Sequence, residues 1–249
     1  MILSERQVRS PIPSLPHLHL APERLARSHV VRFLGRGDNR MIMSEPNWLT
    51  IARELQALAQ TGIAYTANAF DRERYERIRE LAADLMTGGS GLDREKILEL
   101  FRQDVGYATP KVDVRGAAFV DRRVLMVREV SDGLWTLPGG WADVNRSAAE
   151  CVVREVEQES GFAVRATKLA AVWDYRKQGH VSRHPASIYK VFFICEVKDG
   201  MARPSNETSE VSFFARDALP PLSPGRVTVA QVVRMFEHAE QPDSPTDFE

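Results

Sequence analysis

The chain has 249 residues, 43% hydrophobic and 27% charged, with a formal net charge of -1. That balance excludes a bulk electrostatic pull toward nucleic acid or an anionic lipid surface. The only two cysteines, Cys151 and Cys195, are too few for a disulfide framework, and no apolar run nears the roughly 20 residues that span a bilayer. A protein of the reducing cytoplasm is therefore expected, without a membrane partner.

Residues 1–43 are rich in Arg, Pro and His and show no sustained periodicity. They read as a disordered extension, with Met41 and Met43 as alternative starts. Residues 44–106 read as a small helical domain. Trp48, Ile51, Ala52, Leu55 and Leu58 fall at helical spacing, and Thr61-Gly62 is expected to stop that helix. A second helix is expected from an Asp71 cap, with Tyr75, Ile78, Leu81, Ala82 and Leu85 on one stripe and an end before Gly88-Gly89. A third follows Asp93 and carries Ile97, Leu98 and Phe101. Three short helices bury little surface alone. They are expected to pack on each other, on the next domain or on a second copy, and a homodimer is the expected assembly. Acids balance bases here, so no recognition helix for nucleic acid is expected.

From residue 107 to 238 the period changes. Val112, Val114, Ala118 and Val120 alternate along "KVDVRGAAFV", "DRR" turns the chain, and "VLMVREV" forms a second strand. "LWTLPGG", a short helix, and strands in "AVRATKLAAVWDY", "SIYKVFFICEV" and "EVSFFA" follow. A closing helix is expected with Val229, Val232, Val233 and Phe236 inward. This order predicts an α/β (α+β) sandwich with a mixed sheet, preceded by the helical domain. Residues 239–249 are acidic, contain proline and are expected to fray.

The most informative stretch is "GGWADVNRSAAECVVREVEQESGF", residues 139–162. Ser147 and Glu150 fit a capping box, which sets a helix over 148–160 with Gly161 ending it. Glu155 and Glu159 then share one narrow sector, flanked by Gln158 and Cys151, beside an apolar face of Ala149, Val152, Val153 and Val156. Two carboxylates one turn apart repel, and the helix dipole disfavours negative charge at that end. A divalent cation between them reverses both penalties. Mg²⁺ takes one or two carboxylates while keeping waters and phosphate oxygens. The plain alternative is a solvated acidic surface.

The glycine spacing adds to this. The stretch resembles the Nudix box, G-x5-E-x7-R-E-U-x-E-E-x-G-U, with U a bulky apolar residue. Gly140 takes the first position, Arg154-Glu155-Val156 matches R-E-U, Glu159 matches the last acid, and Gly161-Phe162 matches the close. The resemblance implies a Nudix α/β/α sandwich and metal-dependent attack of water on a diphosphate. It implies Mg²⁺, with Mn²⁺ as a substitute, held by Glu155, Glu159 and the backbone carbonyl of Gly139. Arg146 and Gln158 stand where the family has Glu. Arg154 then needs another partner, for which Asp143 is the candidate, and Gln158 offers only an uncharged oxygen to metal. The wider likeness, over about residues 44–238, is to a Nudix subfamily with an N-terminal helical domain that hydrolyses nucleoside diphosphates linked to another group, of ADP-ribose or CDP-choline type.

Such chemistry calls for a general base near the metal. Glu207 and Glu210 in "SNETSEVSFF" are candidates, with Glu210 preferred. Candidates for substrate contact are Trp141 and the cations of "WDYRKQGHVSRHPASIYK": Arg176, Lys177, His180, Arg183, His184 and Lys190. His180 and His184 flank a Pro-containing loop, which argues against zinc. Cys151 reads as packing. The competing readings are a nucleotide-binding sensor that has lost turnover, supported by Arg146 and Gln158, and a nucleoside triphosphate or dinucleoside polyphosphate hydrolase.

Overall fold

The computed structural model describes residues 46–180 and 184–249. The extension read over 1–43, with Met41 and Met43, and the loop residue Arg183 lie outside the described residues.

Helices α1 (Asn47–Tyr65), α2 (Ala69–Ser90) and α3 (Arg94–Gln103) form the N-terminal unit. Both α1 and α2 run through the glycines expected to stop them, and packing is the reason. A Cβ on Gly62 would fall 2.4 Å from the Tyr75 ring, and one on Gly89 would fall 2.2 Å from the Trp48 ring. Each glycine costs about 1 kcal/mol of helix propensity. In exchange, an aromatic side chain of the other helix lies flat on the backbone. The cap of α2 is Asn68 rather than Asp71, since the Asn68 side chain accepts from the amides of Phe70 and Asp71. Leu49, Ala52, Ala82, Ala83, Met86, Ile97, Leu98 and Phe101 make the core of this unit. Leu81, expected inward, is 45% exposed, because the buried stripe of α2 runs through Ala82, Ala83 and Met86.

The second unit contains β1 (Lys111–Val120), β2 (Arg123–Glu129), β3 (Trp135–Thr136), α4 (Ala148–Ser160), β4 (Phe162–Asp174), β5 (Ile188–Gly200), β6 (Thr208–Ala215), α5 (Val229–Glu240) and β7 (Asp247–Phe248). Asp121 and Arg122, both at positive φ, close the β1–β2 hairpin. The sheet runs β3-β2-β1-β5-β4-β7, with β6 beside β2. β1 pairs with β5 in parallel and β4 with β5 antiparallel, so the sheet is mixed. Alternation along β1 sends Val114 and Ala118 to one face and Ala117 to the other. Val152 and Val156 of α4 cover the first face. Val232, Met235 and Phe236 of α5 cover the second. The result is the expected α/β/α sandwich. Val229 is 51% exposed instead of inward. The Thr228–Gln231 capping box starts α5 at Val229, and the inward stripe begins a turn later.

The C-terminal segment does not fray, contrary to the expectation for 239–249. Asp247 and Phe248 pair in parallel with Ala171 and Val172 of β4. Its acids find partners: Arg234 binds Asp247 at 2.6 and 2.8 Å, and the Glu249 side chain accepts from the Asp174 amide at 2.8 Å. Among the described residues, no helix is long and apolar enough to cross a membrane.

Candidate active site

Helix α4 is fixed at both ends by its own sequence. The Ser147 amide donates to Glu150 Oε2 at 2.8 Å, the Glu150 amide donates back to Ser147 Oγ at 3.2 Å, and Gly161 closes the helix at φ 79°. Residues 138–142 lie along the open edge of β1. The amides of Gly116 and Val114 donate to the carbonyls of Pro138 and Gly140 at 2.9 and 2.8 Å, and the Ala142 amide donates to Val112 O at 2.9 Å. The approach is so close that a Cβ on Gly139 would fall 2.0 Å from Val114 O, and Gly139 sits at φ 144°. Only glycine fits there.

The Gly139 amide turns the other way and donates to Glu159 Oε2 at 2.9 Å. A Cβ on Gly140 would lie 3.2 Å from Glu155 Oε2. The loop and the two carboxylates therefore converge. Glu159 is 6% exposed and Glu155 is half-buried. Burial pushes the Glu159 carboxyl up to about 8; the charge of Arg115 and the Gly139 amide offset only part of that. Burial also raises Glu155, against the pull of Arg154 and Arg115. Among the described residues neither carboxylate has an ion-pair partner within 4 Å, and no three His, Cys, Asp or Glu side chains converge into a metal cluster. Two under-compensated carboxylates beside a backbone turn make an oxygen-donor set. It suits a hard cation that completes its shell with water and phosphate oxygens.

Arg154 pairs with Asp143 through Nη1, and Arg146 stands 3.9 Å from the same carboxylate. Asp143 thus fills the gap that Arg146 leaves. Gln158 is exposed. The two candidate bases separate. Thr208 Oγ1 donates to Glu159 O at 2.7 Å, tying the start of β6 to the end of α4, and the Val130 amide donates to Glu207 O at 2.9 Å, tying Glu207 to the end of β2. The charge of Glu207 there acts on both Glu155 and Glu129. Glu210 instead pairs with its register neighbour Arg128 at 2.5 Å. Glu210, the candidate preferred from the sequence, is thus engaged by Arg128, while Glu207 is the one whose charge acts on Glu155.

Among the substrate candidates, Trp141 and His184 come together, with ring centroids 5.7 Å apart, edge to face. Arg176 pairs with Asp174 at 2.7 Å on a short 3₁₀ turn, and Lys177 beside it is exposed. The ring of His180 stacks on Tyr175 at 4.1 Å, and burial followed by the charge of Lys190 pulls its pKa down to about 3. Lys190 requires a correction. It is not a loop cation but lies inside β5, 2% exposed, with Nζ 2.7 Å from Asp113.

Sequence reasoning missed what Lys190 belongs to. Arg115 donates to both Asp113 oxygens at 2.9 and 2.7 Å and to Leu137 O at 3.2 Å. Burial opposes ionisation of Asp113, but Arg115 and Lys190 outweigh it and hold the carboxyl well below its usual range. Glu129, at the end of β2, is also buried and is bound by Arg226 at 2.9 Å. The signal available was Asp113 and Arg115 two residues apart in a strand covered on both faces.

Against known proteins, residues 110–236 match the model of the NUDIX domain. The chain belongs to the Nudix family. Residues 46–101 of this Nudix protein match a second model, described as a UDP-X-like, N-terminal oligomerisation domain. The Bacillus subtilis protein YjhB, provisionally described as an ADP-ribose pyrophosphatase, is 42% identical over 209 residues, which is 84% of this chain and all of that protein. The crystal structure of a UDP-X diphosphatase is 31% identical, with a TM-score of 0.53, covering 82% of this chain and 98% of the other. An ADP-ribose pyrophosphatase from Streptococcus suis is 39% identical, with a TM-score of 0.52, covering 57% of this chain and all of that one. The protein is accordingly a Nudix hydrolase.

Proposed function

We propose that this Nudix hydrolase is a Mg²⁺-dependent pyrophosphatase that cleaves the phosphoanhydride bond of nucleoside diphosphates linked to a second group, with ADP-ribose as the leading substrate and CDP-choline as the next. The observation that carries this reading is the pair Glu155 and Glu159, folded with Gly139 and Gly140 into one site and, among the described residues, without an ion-pair partner within 4 Å. The names of its relatives support the substrate class.

In this reading Glu155, Glu159 and the Gly139 carbonyl hold the ion, and Mn²⁺ suits the same oxygen donors. When bound, Mg²⁺ neutralises charge on the diphosphate and acidifies water. The rest falls to the chain. Glu207 accepts the proton of the attacking water. Arg154, steadied by Asp143, keeps the carboxylate face of α4 in register. Trp141 and His184 line the approach, and Arg176 and Lys177 meet the outer phosphate or the linked group.

The α1–α2 hairpin supports a homodimer. Leu58, Tyr65 and Phe70 are 57%, 72% and 72% exposed in a unit whose model is one of oligomerisation. Light scattering of the full chain tests it, with twice the 28.0 kDa chain mass expected and a monomer contradicting it. A cytoplasmic location belongs to the same reading.

The direct test is phosphate release, coupled to a phosphatase, from ADP-ribose, CDP-choline, a nucleoside triphosphate and a dinucleoside polyphosphate, with and without Mg²⁺. Turnover of a linked diphosphate only with metal is the expected result. Binding of both linked diphosphates without turnover would instead establish a sensor, and triphosphate preference would reassign the substrate.

A further inference from the structure

Along α1, Arg53, Gln56 and Gln60 stand at i, i+3 and i+7, one stripe of the helix, and each is at most 9% exposed. All three give N–H groups to backbone carbonyls outside α1. Gln56 Nε2 donates to Phe101 O at 3.2 Å and Gln60 Nε2 to Gly106 O at 3.4 Å, so these two hold α3 and the segment that follows it. Arg53 reaches the other unit. Its Nε donates to His184 O at 2.9 Å, and its Nη2 donates to the same oxygen. A guanidinium is costlier to bury than an amide, and its planar fork fixes direction as well as distance.

What Arg53 holds lies beside the glycine loop. The bonding of the sheet reaches Ser187, whose carbonyl takes the Lys111 amide at 2.9 Å. The β1–β5 register opens with Lys111 opposite Ile188. Before that point Pro185 has no amide to give. Two contacts of a different kind act on His184: Arg53 on its carbonyl, and the Ala186 amide on its ring Nδ1 at 3.1 Å. A ring nitrogen that accepts a hydrogen bond carries no proton, so the N–H of the neutral ring is at Nε2. The ring meets Trp141 edge to face at 5.7 Å. Trp141 in turn bridges to Asp113 of β1 and follows Gly140, where an added Cβ would lie 3.2 Å from Glu155 Oε2.

We infer that Arg53 is a positioning residue: from the helical unit it clamps His184, and through His184 it orders the Trp141 side of the glycine loop, so that the helical unit completes the approach to the carboxylates. The clamp and the tautomer follow from the geometry. That the ordered pair meets substrate rests on the function proposed above.

Two measurements on the full-length protein test this, and the first needs no turnover. Long-range proton–nitrogen correlation spectra of the imidazoles report the tautomer of each of the six histidines; the His184 signal is the one missing in His184→Gln. Wild type should show His184 in the Nε2–H form. Arg53→Met keeps helix propensity and an apolar stem, and should convert that signal to the averaged one of a solvated ring. The second measurement is steady-state kinetics on a linked diphosphate with Mg²⁺. Arg53→Met should raise KM about tenfold, the worth of one hydrogen bond to substrate, with kcat within about twofold. Arg53→Lys should recover part of both the signal and the KM, and Arg53→Gln serves if Arg53→Met folds poorly. A wild-type His184 signal in Arg53→Met overturns the clamp, whatever the protein hydrolyses. A converted signal with unchanged KM, or a fall in kcat alone, overturns the positioning role. If wild type turns nothing over, the hydrolase reading fails and the His184 signal alone decides the clamp.

Discussion

Two buried charge clusters lie close together in this molecule and are built on opposite principles. Asp113, Arg115 and Lys190 close on themselves, with contacts at 2.7–2.9 Å between opposite charges, two within β1 and one across to β5. Glu155 and Glu159 sit on one helix face as two carboxyls, and the protein supplies a single amide and the more distant charges of Arg154 and Arg115. The first cluster is satisfied by folding. The second is left under-compensated by folding, which is what the proposed metal site requires. Buried charge therefore does not by itself mark a site; buried charge that the fold leaves under-compensated does.

The comparison can be broken by substitution. Glu159→Gln should cost the most in activity. It should lower the metal-dependent rate about a thousandfold, the several kcal/mol a metal contributes at 1.36 kcal/mol per decade, while the helix keeps its caps. A rate within tenfold of wild type under saturating Mg²⁺ removes Glu159 from the site. Asp113→Asn should do the reverse and strike stability first. It leaves Arg115 and Lys190 buried with one neutral partner between them, a loss of about 3–5 kcal/mol in urea unfolding. An unchanged midpoint would mean the triad is not the closed unit described.

A pH series sharpens the contrast. Glu159 has a native value of about 8 against an ordinary 4.5. Between those values the native state binds more protons than the unfolded chain, so its contribution to stability falls as pH rises. Metal-free wild type should lose urea stability between about pH 5 and pH 8.5 relative to Glu159→Gln. Parallel profiles for the two proteins would contradict the burial argument. Among the candidate bases, Glu207→Gln should reduce kcat by about 10²–10⁴-fold, and Glu210→Gln should stay within a few-fold. Equal losses would undo their separation. The smallest effect is expected for Asp143→Asn on stability. That pair is roughly half exposed and contributes at most about 1 kcal/mol, so any larger loss of activity reports alignment of Arg154 rather than folding.

Much of the architecture was legible because local signals agreed with the tertiary outcome. The Ser147–Glu150 box, the Gly161 stop and the period-two strands are short-range features, and they set α4 and the sheet. The failures share another cause. Gly62 and Gly89 read as stops because no local signal reveals the aromatic ring each was to accommodate. The tail read as disordered because the side chains that hold it, Arg234 and His238, lie on α5 and meet it only after the fold forms. Glu155 and Glu159 were readable, since a helix fixes their geometry by spacing alone. Asp113, Arg115 and Lys190 were not, because strand register across β1 and β5, 77 residues apart, decides whether such charges meet. The Glu210–Arg128 pair, which separates the two candidate bases, likewise depends on strand register between β2 and β6.

The most direct test is a calorimetric titration of Mg²⁺ into the full-length protein near pH 7, in two buffers of different ionisation enthalpy, for wild type and Glu159→Gln. With Glu159 protonated below about 8 in the free protein, metal must displace a proton to bind. Wild type should bind Mg²⁺ with net proton release, and Glu159→Gln should lose both the affinity and the release. Binding of equal strength in the two proteins, or wild-type binding without proton release, would contradict the claim that this carboxylate pair waits for a cation.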